Sequence, residues 1–191
     1  MAVLWRCFPW DAAAAAAAAP PGAPFSAAFL TPGQTVGRFD LNDAPPVRYL
    51  GETPDHAIGE VMAPFRGTAF RASYLRRAGW PLALARVTVR AEFAQRLVDC
   101  TDPRVLLERG LRPDELAHHD RKRTQAVARR LHADPGVAGL RWWSALTGAW
   151  HSVVVFTDRE RPGDVTFDAP ELLHPADRRL TDALDMLGVR R

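Results

Sequence analysis

An α+β domain with mixed central sheets flanked by helices is the expected class, because strand-like and helix-like stretches alternate here without a steady βαβ rhythm. Three observations lead there. Short apolar runs suited to buried strands occur at residues 4–8, 47–50, 82–89 and 153–156. Thr53-Pro54 and Asp102-Pro103 are helix starts, with a capping oxygen followed by a proline at the first helical position. The C-terminal stretch 175–191 reads as a helix, amphipathic from Pro175 to Leu187 with Leu180, Ala183, Leu184 and Leu187 on one face. At 191 residues and 47% hydrophobic, the chain has the size of one domain, 1–191, and can bury roughly 70% of its unfolded surface.

In chain order, residues 4–8 open as a strand. Asp11 could cap a helix over the eight alanines 12–19, but so short a run is not stable alone and exits through prolines and glycine. Residues 12–24 are therefore set apart as a low-complexity insertion without chemistry of its own. A turn at Thr31-Pro32-Gly33-Gln34 leads to Gly37-Arg38-Phe39, and a strand follows at 47–50. The helix after Thr53, residues 55–62, places Ala57, Ile58, Val61 and Met62 on an apolar face and Glu60 at its flank. In the strand 82–89, Ala83, Ala85, Val87 and Val89 should share one side and Leu84, Arg86 and Thr88 the other. A short helix runs from Pro103 to Arg109 and is closed by Gly110. A longer one covers 120–132, with Ala128 and Leu131 inward, and ends at Asp134-Pro135-Gly136. Trp142, Trp143 and Trp150 are expected in the core.

Composition removes several function classes. The longest apolar stretch is the alanine run, far short of the ~20 residues a bilayer requires. Asp11 and Pro20-Pro21 argue against a secretory leader, so a cytoplasmic protein with no membrane partner is expected. Cys7 and Cys100 form no CxxC pair and read as reduced structural thiols. Net charge is +3 and Lys122 is the sole lysine, a balance that does not by itself imply nucleic acid. No GxGxxG, P-loop, HExxH or GxSxG motif stands in a supporting context. His118-His119 point to different sides of a helix, and no metal site is expected. The dense basic run, Arg121-Lys122-Arg123 with Arg129-Arg130, lacks aromatic company and reads as a solvated helix face; Gln125 within it is left open between surface and cleft.

The chemistry concentrates between Gly37 and Glu60. Gly37-Arg38-Phe39-Asp40, then Arg48-Tyr49-Leu50, then the helix carrying Glu60 supply guanidinium groups, an aromatic face and a carboxylate. Arginine forks onto phosphate oxygens, tyrosine stacks, and glutamate accepts hydroxyl protons or faces a developing cation. A phosphorylated, ribose-containing, flat-ringed molecule such as NAD fits that set. Ser144 has no elbow motif and no histidine partner, which disfavours a nucleophile and leaves a hydroxyl that hydrogen-bonds ligand or orients the carboxylate.

Leu4-Trp5-Arg6, Gly37-Arg38-Phe39, Tyr49-Leu50-Gly51-Glu52-Thr53-Pro54, Ala57-Ile58-Gly59-Glu60, Thr124-Gln125-Ala126-Val127-Ala128 and Trp143-Ser144 together resemble the RES domain, named for its Arg, Glu and Ser. Asp40, Gly51 and Gly59 depart from the usual pattern. The resemblance implies a fold like that of ADP-ribosyltransferase toxins around a NAD cleft. It also implies the toxin of a bacterial toxin–antitoxin pair, which degrades NAD as substrate, without a prosthetic group, and is held inactive by an Xre-type antitoxin. Direct nucleic-acid contact is expected only through that antitoxin. Carried over, the family's residues fall on Arg38, Tyr49, Glu60 and Ser144, with Arg6 a second cleft arginine. Glu60, Arg38 and Ser144 would serve the chemistry, and Arg38, Tyr49, Arg6 and Ser144 would bind NAD. The readings weighed beside NAD hydrolysis or phosphorolysis are ADP-ribosyl transfer to a protein or metabolite, and a non-catalytic nucleic-acid-binding module using Arg121 to Arg130.

Overall fold

Strand β1 (Ala2–Pro9) opens the chain, β2 (Val47–Gly51) leads into helix α1 (Pro54–Met62), and β3 (Arg76–Arg77) turns into the long strand β4 (Trp80–Val89). Then come α2 (Ala91–Ala94), β5 (Leu97–Asp99), α3 (Pro103–Glu108), α4 (Pro113–Ala117), α5 (Arg121–His132), β6 (Gly139–Trp143), β7 (His151–Phe156), β8 (Val165–Phe167), β9 (Glu171–Leu172) and α6 (Arg178–Leu187). This computed structural model describes residues 1–10, 27–28, 30, 37–41, 45–77 and 79–190. The class is α+β, with parallel and antiparallel pairing. By packing, the chain divides into two units: Met1–Ala2, Leu30–Tyr49 and Val89–Val165 form the first, and Val3–Phe29, Leu50–Thr88 and Thr166–Arg191 the second.

In the first unit the strand order is β2, β7, β6, β5. β5 runs parallel to β6, pairing Val98 with Leu140, and β6 runs antiparallel to β7, pairing Leu140 with Val154. Val98, Leu140, Val154 and Phe156 bury their side chains with Leu116, Val127, Ala128 and Leu131 from α4 and α5. Phe39 joins this core and meets the Trp142 ring edge-on, with centroids 5.3 Å apart, a geometry favoured by the ring quadrupoles. Asp120 caps α5 by accepting from Lys122 N at 2.9 Å. The exposed face of α5 carries Arg121, Lys122, Arg123, Arg129 and Arg130, while Thr124, Gln125, Val127, Ala128 and Leu131 face inward.

In the second unit β4 lies between β3 and β1, and β1 pairs antiparallel with β2 through Trp5 and Gly51. The short strand β9 adds to β4. Helices α1 and α6 pack on each other; the residues buried on them are His56, Ala57, Ile58, Gly59 and Met62 on one, and Leu180, Ala183, Leu184 and Leu187 on the other. A Cβ on Gly51 would come within 2.9 Å of Ala57 N, so the end of β2 passes the start of α1 as closely as a glycine allows.

Several expected boundaries shift. The C-terminal helix does not occupy 175–191: it starts at Arg178, because Asp177 accepts from Arg179 N at 2.9 Å, and stops at Gly188 in the left-handed region, φ 66°. β4 starts at Trp80, earlier than expected, and Leu84 is buried like Ala83 and Ala85, so its first half faces apolar surroundings on both sides. On α1, Val61 is only half-buried, and buried His56 takes part in the inward face. β3, β5, β6, β8, β9, α2 and α4 have no counterpart in the sequence pattern. The alanine-rich stretch 12–24 and the turn 31–34 lie outside the described residues. No helix among those described is long and apolar enough to cross a membrane.

Candidate functional site

The Gly37–Asp40 loop is the best-anchored piece of the expected ligand region, and each of its bonds has a local reason. Asp40 reaches back three residues to accept from Gly37 N at 2.6 Å through Oδ2, the short-range carboxylate-to-amide pattern aspartate favours in turns. Its other oxygen, Oδ1, accepts from the Tyr49 hydroxyl at 2.8 Å, and that hydroxyl accepts in turn from Phe39 N at 2.9 Å. The carboxylate is buried, 2% exposed, so both oxygens need such donors. Burial first, and the nearby Asp40 charge second, push the Tyr49 phenol well above its ordinary range.

Helix α5 closes the loop from the other side. Gln125 Nε2 donates to Gly37 O at 2.9 Å, and Thr124 Oγ1 donates to Arg38 O. Both polar side chains are buried inside a helix whose outer face is basic. A buried amide or hydroxyl in an apolar setting is retained when its bonds are made. Gln125, left open by its sequence position, is therefore a loop anchor.

Arg38 is half-buried and fixed in direction. Its Nη2 donates to Leu116 O at 3.0 Å and His118 O at 3.1 Å, and the guanidinium lies over the Trp142 ring, 4.7 Å from the centroid. The side chain emerging from this loop is a guanidinium held on an aromatic face by two carbonyls at the C-terminal end of α4. Tyr49 is 37% exposed while its hydroxyl is bonded. It can therefore offer ring surface to a ligand.

Ser144 follows β6 and is buried, 6% exposed. Its Oγ accepts from Leu146 N at 3.0 Å, and its own N–H donates to Trp150 O at 2.8 Å. It shapes the turn between β6 and β7, with Trp142 and Trp150 buried on either side. Arg48, from the same ligand-grade stretch, faces inward and makes a two-pronged pair with Glu160 at 3.1 and 3.2 Å, the fork geometry characteristic of arginine and carboxylate.

In the second unit Glu60 sits on α1, its side chain 45% exposed, with Oε1 3.2 Å from His56 Nε2. The spacing of four residues puts both on one helix face. His56 itself is buried, 1% exposed, and its amide bonds the capping Thr53. Glu60 is thus a solvent-reaching carboxylate with its direction set by a buried imidazole. Arg6 on β1 is half-buried, donates to Ala27 O and lies 5.8 Å from the Phe8 centroid.

Arg38 and Tyr49 are brought together through Phe39 and Asp40; Ser144 belongs to the same unit, and Glu60 and Arg6 to the other. Asp40 as the link, Thr124 and Gln125 as anchors and His56 as the partner of Glu60 were not read from sequence. The i, i+4 spacing of His56 and Glu60 was the one visible signal. The thiols behave as expected of structural cysteines: both are free, and burial raises Cys7 and Cys100 to about 12, leaving almost no thiolate near neutral pH.

No curated protein matches this sequence. Among solved structures, a chain in the crystal structure of the M. tuberculosis MbcT-MbcA toxin-antitoxin complex aligns with a TM-score of 0.61 and 19% identity, covering 95% of this chain and 88% of that one. That likeness is one of fold. The RES domain profile matches residues 3–177, which include Arg6, Arg38, Tyr49, Glu60 and Ser144. The protein is a member of the RES domain family.

Proposed function

We propose that this protein is the toxin of a bacterial toxin–antitoxin pair and that it depletes NAD by breaking the nicotinamide–ribose bond. Family membership and a fold shared with a chain of a toxin–antitoxin complex support the toxin role. The observation that carries the NAD reading is the Gly37–Asp40 loop, which fixes a guanidinium over an indole and anchors a half-exposed phenol ring by its hydroxyl. Arg38 would meet the pyrophosphate and Tyr49 a ring or ribose. Arg6 would be a second phosphate contact, and Ser144 would hold the nicotinamide end or the carboxylate.

The chemistry assigned to Glu60 follows from the bond that breaks. The electrons of the glycosidic bond return to the pyridine nitrogen, nicotinamide leaves neutral, and positive charge develops on the ribose carbon and ring oxygen. A carboxylate beside that centre stabilises the oxocarbenium-like state and binds ribose hydroxyls. The leaving group starts cationic and needs no proton donor. Water completes hydrolysis by adding hydroxide to the ribose carbon and releasing a proton; inorganic phosphate adds through an oxygen instead. The partner in this reading is an Xre-type antitoxin that covers the NAD site, and the site of action is the cytoplasm.

Incubating the purified protein with NAD, with and without phosphate, and following nicotinamide by chromatography tests the reading. Nicotinamide should appear, and Glu60→Ala should lower its rate by about a hundredfold or more. Because Glu60 is 45% exposed, the variant should fold. Undiminished release by folded Glu60→Ala would remove Glu60 from the mechanism, and no release by the parent would remove NAD.

A further inference from the structure

The bond directions around Tyr49 carry a consequence for what this residue can do. A phenol hydroxyl has one proton to give and two lone pairs to receive with. Phe39 N–H, a donor only, occupies one lone pair at 2.9 Å. Asp40 Oδ1 stands at 2.8 Å and, as a carboxylate oxygen, accepts. The direction of each bond is thus fixed by chemistry, and the single proton of Tyr49 points at Asp40. The remaining carboxylate oxygen is occupied by Gly37 N–H at 2.6 Å. There is no spare room in this knot: a Cβ on Gly37 would lie 2.5 Å from the Tyr49 hydroxyl and closer still to Asp40 Oδ1. The whole knot is then held to α5 by Gln125 and Thr124.

We propose that Asp40 is the positioning residue of Tyr49: it accepts the hydrogen bond of the phenol hydroxyl and locks the ring, so that Tyr49 offers the bound molecule a ring face and no hydrogen-bond donor. That the molecule is a pyridine nucleotide rests on the function proposed above; the state of the phenol does not. Asp40 acts through Tyr49 and Gly37. The raised phenol is in keeping with this arrangement, with burial the larger cause and the Asp40 charge next, while the Phe39 N–H bond and, less, the Arg121 cation pull the other way. Asparagine in place of Asp40 would reverse one bond. Its carbonyl would keep the Gly37 amide, its NH2 would donate to the phenol oxygen, and the hydroxyl proton would be released to a ligand.

The chain has two tyrosines, which makes the test direct. In a Tyr74→Phe background, which keeps the ring stacked on Phe65, Tyr49 is the only phenol. Its hydroxyl proton, followed by NMR in protein with ring-13C tyrosine at neutral pH, should be observable through slow exchange, and should be lost to rapid exchange in Asp40→Ala and Asp40→Asn. Retention of the same slowly exchanging proton in both folded variants would overturn the proposal. The second arm measures NAD affinity. Tyr49→Phe keeps the ring but loses the bond to Asp40 and should lose no more affinity than Asp40→Ala, whereas Tyr49→Ala should lose about tenfold or more. A loss for Tyr49→Phe well beyond that of Asp40→Ala, which keeps the hydroxyl and removes the lock, would mean that the hydroxyl works on the ligand, against the proposal. If the parent binds no NAD, the NMR arm still decides the role of Asp40 while the proposed substrate fails.

Discussion

Gly37 shows how one residue type can be dictated by its neighbours. The Tyr49 hydroxyl and the Asp40 carboxylate occupy the space a side chain would need, and both are anchored by other bonds, so neither can give way cheaply. Gly37→Ala should therefore destabilise the protein by about 1–3 kcal/mol, the usual range for overpacking a tight site. A chemical-denaturation midpoint checks this. The same change should weaken NAD binding through displacement of the Tyr49 ring, whereas Gly67, whose missing Cβ meets nothing within 4 Å, has no such role. Glu60 differs in kind. It reaches solvent, and a buried histidine one turn back sets its direction. Such a carboxylate contributes little to stability.

At the scale of the elements, the start of α6 is set by a charged cap. Asp177 accepts from Arg179 N at 2.9 Å and pairs with the Arg179 guanidinium, which also reaches Glu171 at 2.9 Å. The hydrogen bond from the Arg179 side chain, more than any other cause, holds the Asp177 carboxyl below its usual range. A carboxyl lowered in the folded state adds stability that is fully present above its unfolded value, roughly 3.9, and fades as pH falls through the folded value. Asp177→Ala should cost about 1 kcal/mol at neutral pH, the usual worth of a cap. The deficit against the parent should shrink below about pH 4. Asp177→Asn, which keeps the cap oxygen and loses the charge, should recover most of it. Thermal melts at pH 7 and pH 3.5 separate the three chains.

At the scale of the whole molecule, the basic character is spread over arginine-rich surface. On α5 the exposed arginines surround an inward face that anchors the Gly37–Asp40 loop. Arg129→Ala with Arg130→Ala should change stability by no more than about 0.5 kcal/mol per site. It should also leave the salt dependence of any DNA binding unchanged, as read by fluorescence anisotropy; a clear loss of DNA affinity would revive the nucleic-acid reading. Much of this protein could be read from local pattern alone. Capping oxygens followed by proline placed α1 and α3, periodic apolar residues placed α5 and α6, and strand-like runs placed β1, β2, β4 and β7. These signals work because caps and periodicity act over a few residues. The order of short motifs was enough to identify the family, which the profile match over residues 3–177 bears out. Local pattern was silent on β5 and β6: their short runs, three and five residues, become strands by pairing with each other and with β7. It was equally silent on which polar residues support the candidate site. Thr124 and Gln125 meet residues 38 and 37 across more than eighty positions, and Arg48 finds Glu160 across 112. Pairings at that separation exist only once the core of Phe39, Trp142, Leu140 and their neighbours has closed, because a buried polar group's partner is chosen by proximity after collapse and leaves no trace in sequence spacing.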